Sequence, residues 1–182
     1  MNRSRARFLV VLGAVGFLTL TTVTAIAVAQ GDYGSGPRLA IASCGPSNAQ
    51  GTVVHVTLGD RGGAMMGGGS SMMVSLKAAP NSVSAGNVTF VATNVGNLSH
   101  ELLILPAPSD GVGTRVVGND GRIDESASLG EASTSCGNGP GQGISPGTTS
   151  WVTIHLTPGN YELLCDVPWH YANGMFTSFR VN

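Results

Sequence analysis

Near the C-terminus, the run Tyr161-Glu162-Leu163-Leu164-Cys165-Asp166-Val167-Pro168-Trp169-His170-Tyr171-Ala172-Asn173-Gly174-Met175 carries a thiol, an imidazole and a thioether at five-residue intervals, Cys-x4-His-x4-Met. Thiolate and thioether are soft donors and imidazole is intermediate, a set that suits copper. Joined by a second imidazole, it is the ligand chemistry of a site that passes single electrons. His100, in Asn94-Val95-Gly96-Asn97-Leu98-Ser99-His100-Glu101, is the candidate for that imidazole. Taken alone, Cys165 reads as a buried apolar thiol and Met175 as a core residue; the joint spacing favours a metal. A Cys165 nucleophile with His170 as its base is the weaker reading, because no third residue is evident to orient the imidazole and export would expose a lone thiolate to oxidation.

The elements that must position these donors read as short strands. Gly51 to Leu58 alternates and is β-branched, and further strands are expected over Met72 to Lys77, Asn87 to Asn94, His100 to Leu105, Thr149 to Leu156, Asn160 to Cys165 and Phe176 to Val181. Gly59 to Gly69 reads as a flexible connection. Pro106 to Gly147 is a long Gly/Pro/Ser-rich region with one short helical candidate, Asp124 to Leu129; loops of that length usually carry a function or need a staple. Seven strands at this spacing suggest an all-β sandwich. Cys165 then ends one strand, Met175 precedes the next, His170 lies on the connection, and His100 begins another strand, so all four donors can meet at one end. His55 and His155 fall inside alternating strands and read as surface or structural residues.

Composition agrees. The chain of 182 residues has 27 Gly and 9 Pro and is only 10% charged, which favours turn-linked strands over long helices. Arg3, Arg5 and Arg7 precede an uncharged stretch from Phe8 to Ala29 that ends in Ala27-Val28-Ala29. Residues 1–30 therefore read as a signal peptide or an N-terminal membrane anchor through residues 8–29, residues 31–50 as a linker, and residues 51–182 as one exported, extracytoplasmic domain, anchored or secreted. Ile41-Ala42-Ser43-Cys44 looks like a lipoprotein acylation site, but a polar segment, Gln30 to Arg38, separates it from the apolar run. Without the three leader arginines, six basic residues face ten acidic ones, a net charge of −4 with no basic patch, which argues against nucleic acid as a partner. Of three cysteines, Cys44 and Cys136 lie in Gly/Pro-rich segments away from the donor run. They are expected to pair, leaving Cys165 free.

His100 with its Asn94-x5-His turn, together with Pro158-Gly159-Asn160-Tyr161 through Cys165-x4-His170-x4-Met175, resembles the cupredoxin family of blue-copper proteins, most of all its sulfocyanin-like and plastocyanin/azurin-like exported bacterial members. The resemblance covers roughly Gly51 to Asn182. It implies a Greek-key β-sandwich of about seven to eight strands with a long loop insertion. It also implies one type 1 copper ion held by His100, Cys165 and His170 with Met175 as the long axial ligand, and an electron carrier, not an enzyme, that serves redox proteins as donor and acceptor. Two residues depart from the pattern. Trp169 stands where many relatives have Gly, and Glu101 where many have Asn or Ser. The tract Met65-Met66-Gly67-Gly68-Gly69-Ser70-Ser71-Met72-Met73 allows a different role, copper storage or delivery through paired thioethers, against a plain Gly linker running into a strand. A structural sandwich with a vestigial site is the remaining alternative. The acidic residues Asp110, Asp120, Asp124, Glu125 and Glu131 of the long loop read as solvated surface that could also steer a basic redox partner.

Overall fold

The computed structural model describes residues 44–62 and 72–182. The apolar leader, residues 31–43 of the expected linker, and Met65 and Met66 lie outside the described residues.

Among the described residues, nine strands form two sheets. The first contains β1 (Thr52–Gly62), β2 (Met72–Ala79), β4 (Gly86–Asn94) and β7 (Thr149–Leu156) in the order β2-β1-β4-β7. The second contains β3 (Ser82–Val83), β5 (Leu102–Pro106), β6 (Gly130–Ala132), β8 (Gly159–Leu164) and β9 (Phe176–Val181) in the order β3-β9-β8-β5-β6. Pairing is antiparallel except between β1 and β4 and between β3 and β9. The all-β class and the seven expected strands are observed, in an arrangement consistent with a Greek-key sandwich. The two additional strands, β3 and β6, have two and three residues, too few to show a period of two.

Alternation builds the core between the sheets. Val54, Val56 and Leu58 of β1 and Val88, Phe90 and Ala92 of β4 face Leu102, Ile104, Leu163, Phe179 and Val181 of the second sheet. Phe90 and Phe179 meet edge to face at 5.2 Å between ring centroids. Each such buried Val, Leu, Ile or Phe side chain contributes roughly 1.5–3 kcal/mol relative to exposure.

All four residues of Leu102-Leu103-Ile104-Leu105 in β5 are buried, as are Tyr161 to Leu164 of its neighbour β8, the pattern of strands covered on both faces. The long segment between β5 and β6 supplies the cover. Its Ile123 and Val117 pack with Leu103, Leu105, Leu164 and Tyr171 in a second apolar cluster outside the sandwich. The helix expected over Asp124 to Leu129 does not form. Asp124 Oδ1 accepts the Ser126 N–H at 2.9 Å, and Ser128 N–H closes a turn on the Glu125 carbonyl at 2.8 Å, the local side-chain bonding by which Asp and Ser compete with helix. Leu129 N–H is already committed to the Ile104 carbonyl.

Candidate metal centre

Topology brings the donors together. β5 and β8 are antiparallel neighbours with Leu103 opposite Leu164, so the residues leading into β5 lie beside those leaving β8. His100 is on the first of these connections and Cys165 on the second. The turn before His100 is held by Asn94, whose buried side chain donates to the Leu98 and Ile144 carbonyls, each at 2.7 Å, and accepts the Gly96 N–H at 2.8 Å. His100 and Ile144 exchange backbone hydrogen bonds at 3.2 and 2.7 Å. After Cys165 the chain makes a compact return through a short 3-10 helix, Tyr171–Asn173, ended by Gly174 at φ 90°. Cys165 N–H donates to the Met175 carbonyl at 3.0 Å, and Met175 N–H to the His170 carbonyl at 3.1 Å.

His100, Cys165 and His170 converge, with one donor atom from each lying within 4.8 Å of the other two. The two Nδ1 atoms are 3.2 Å apart, and Cys165 Sγ lies 3.4 Å from His170 Nδ1 and 3.9 Å from His100 Nδ1. All three residues are buried, as is Met175, whose backbone is bonded to both Cys165 and His170. His55 and His155 are exposed on β1 and β7 and take no part.

Burial sets the protonation states. It pushes His170 down to about 4, aided by the neighbouring His100, and lowers His100 against the upward pull of Asp60. Both rings therefore offer lone pairs at neutral pH. Burial pushes the Cys165 thiol up to about 12, opposed by the N–H groups of Glu101 and Val167. A thiol in such a place releases its proton to solvent when a cation that binds sulfur strongly takes the proton's place. The donor set and the convergence of its atoms thus fit a soft-to-intermediate transition metal and are poor for calcium or magnesium, which take oxygen ligands.

Glu101 gives the sulfur its backbone N–H, at 3.3 Å, so the hydrogen bond is made by the main chain whatever side chain stands there. The Glu101 carboxylate turns to Arg122, at 3.5 Å. Beside Cys165, Asp166 is buried with Oδ1 accepting the Ile123 N–H at 2.8 Å and Oδ2 without a hydrogen bond. Arg122 Nη1, 3.7 Å from Oδ2 and bonded to the Asp166 carbonyl at 2.7 Å, supplies the compensating charge.

Asp60 is the polar neighbour that the sequence reading missed, because Gly59 to Gly69 read as a loose connection whereas β1 runs on to Gly62. The signal was present. Positions 54, 56 and 58 face inward, and the same alternation carries residue 60 to the inner side.

A two-sheet sandwich with two histidines and a cysteine gathered at one end defines a cupredoxin, the class of the blue-copper proteins. Within that class, the sulfocyanin (SoxE) domain matches residues 69–182, and the chain belongs to that family. No curated protein matches the sequence. Among solved structures, auracyanin from Roseiflexus castenholzii is similar at 17% identity, with 74% of this chain and 99% of that one covered and a TM-score of 0.48. Auracyanin A of Chloroflexus aurantiacus, titled a "blue" copper protein, is similar at 20% identity over 71% of this chain and 99% of that one, with a TM-score of 0.44. Rusticyanin from Thiobacillus ferrooxidans is similar at 22% identity over 76% and 86%, with a TM-score of 0.40.

Proposed function

We propose that the chain is a mononuclear blue-copper electron carrier in which His100 Nδ1, His170 Nδ1 and the Cys165 thiolate are the strong ligands of one type 1 copper ion and Met175 is the weak axial one. The observation that carries this reading is the buried meeting of two imidazole Nδ1 atoms with a thiol sulfur, all within 4.8 Å. Bound copper supplies a one-electron Cu(II)/Cu(I) couple.

The protein supplies constancy. His100 is held by Ile144 on one side and Asn94 fixes its turn, while the Cys165-to-Met175 return is closed by its own backbone bonds. Donors held on two tight connections that adjoin β5, β8 and β9 have little room to rearrange when an electron moves. Burial excludes water from the sulfur, and the Glu101 N–H stabilises negative charge on it.

The chain needs no catalytic residue for this role. Its electrons come from and go to other redox proteins. An extracytoplasmic setting is supported by the arginine-flanked apolar stretch at Phe8 to Ala29 and by the Cys44–Cys136 disulfide, a bond typical of oxidising compartments.

The test is to load the purified full chain with Cu(II) and record visible and paramagnetic-resonance spectra beside Cys165→Ser. The expected result is an intense thiolate-to-copper band and a reversible one-electron couple, with the band absent from Cys165→Ser. A colourless product, or a band that survives the substitution, overturns the reading.

A further inference from the structure

His100 has a second nitrogen, and it is occupied. Nε2 lies 3.0 Å from Oδ1 of Asp60, with the histidine side chain fully buried and the aspartate side chain only 4% exposed. The same carboxylate oxygen accepts the N–H groups of Asn97 at 2.8 Å and Leu98 at 2.9 Å. Those two residues belong to the turn that delivers His100. Close approach depends on Gly96, where a Cβ would fall 2.0 Å from Asp60 Oδ1 and 2.7 Å from its backbone nitrogen. Asp60 also lies outside residues 69–182, the part of the chain that matches the sulfocyanin domain.

An ionised carboxylate only accepts hydrogen bonds, so the proton in this contact belongs to His100 Nε2, and Nδ1 is left with its lone pair. His170 lacks such a partner: among the described residues its only hydrogen-bonding neighbours through the ring are at Nδ1, namely His100 and Cys165. The two imidazoles are therefore unequal.

The geometry points to Asp60 as a positioning residue of the metal centre, one that locks His100 in the Nε2–H tautomer, fixes the plane of its ring and places a negative charge one imidazole behind the metal position. The inference rests on the copper reading above and deepens it. Outer-shell carboxylates of this kind orient a ligand histidine and raise its basicity. Added negative charge favours the dication over the monocation, so Asp60 lowers the reduction potential of the centre. A residue that merely stapled the turn would act through its accepting oxygen, and Asn would serve as well.

Two measurements on the full chain test this. In the copper-free protein, nitrogen-15 NMR of the histidine rings should show His100 protonated at Nε2 and bare at Nδ1, with the Nδ1–H form becoming populated in Asp60→Ala. In the copper-loaded protein, Asp60→Asn, which keeps the shape and an accepting oxygen, should weaken Cu(II) binding about tenfold relative to Cu(I), a rise in potential of about 59 mV for one electron. Asp110→Asn, a surface charge on the long loop, should leave the potential where it is. A wild-type His100 carrying its proton on Nδ1, or an Asp60→Asn potential equal to that of wild type, overturns the inference. Should Asp60→Asn fail to fold, the wild-type tautomer still decides. A chain that never turns blue sinks the copper reading, and the NMR result then judges Asp60 by itself.

Discussion

Trp169 sits immediately before His170 with φ at 71°, in the left-handed region, a conformation that costs a non-glycine residue roughly 1–2 kcal/mol. Three hydrogen bonds hold it there, one of them from the Asn173 N–H to the Trp169 carbonyl at 3.1 Å. Its N–H donates to the Gly121 carbonyl at 2.8 Å, and its own carbonyl accepts from Asn173 Nδ2 at 2.8 Å. The indole lies over Gly121, where a Cβ would meet ring atoms at 2.8 and 2.9 Å, and it remains 52% exposed. This explains the departure noticed in the sequence. The position suits glycine on backbone grounds, and here tryptophan is tolerated because its ring has a glycine to rest on. Trp169→Ala and Trp169→Gly both remove the ring, but only the second removes the backbone strain. Trp169→Gly should therefore exceed Trp169→Ala in stability by about 1–2 kcal/mol, read from urea unfolding midpoints. Equal midpoints, or the reverse order, would show that the strain at residue 169 is not felt by the folded protein.

At the scale of elements, the strands were legible because alternating apolar residues announce a face, and seven of the nine did so. The cover over β5 was not legible, since residues 107–129 have no period and are fastened by polar contacts distant in sequence. Glu162, fully buried on β8, is the anchor. It receives Arg115 Nε at 2.6 Å, Gly113 N–H at 2.7 Å and the Tyr171 hydroxyl at 3.1 Å. Arg115 Nη2 also reaches the Pro106 carbonyl at 2.6 Å, and its N–H reaches the Tyr171 oxygen at 3.0 Å. The sequence shows only the unbroken apolar run Leu102 to Leu105, which does not say what covers the sheet. Removing one partner of a buried ion pair leaves the other charge uncompensated and costs roughly 3–5 kcal/mol. Arg115→Met, which keeps the apolar stem, should lower stability by about 3 kcal/mol and open the segment around Val112 to proteolytic cleavage. An unchanged urea midpoint together with unchanged protease resistance would show that the cover is held by its apolar residues alone.

For the whole molecule, the ligand run was legible because three donors share one short connection and their spacing is itself chemical information. His100 could be nominated, but its arrival beside Cys165 is a property of β5 pairing with β8, and the contact with Asp60 is a property of where β1 ends. Neither is local. The cysteines show the same division of roles. Cys44 and Cys136 are joined, as their placement away from the donors suggested, which also commits the sulfur that a lipid anchor would need; Cys165 is left as the free, buried thiol. The bridge links residues 92 apart in sequence and ties the segment before β1 to the connection between β6 and β7. In the chain-entropy account, a loop of that length stabilises by about 4–5 kcal/mol, with measured losses for native bridges of roughly 2–5 kcal/mol. The double variant Cys44→Ser/Cys136→Ser should therefore unfold at lower urea, with a stability loss of at least about 2 kcal/mol. Its copper-loaded visible band should be that of wild type, because Ile144, which shares the β6–β7 connection with Cys136, keeps its own backbone pair with His100. Loss of the band in a variant that is still folded, or peptide mapping without reduction that finds Cys165 in a disulfide, would overturn this separation of the structural thiols from the metal-binding one.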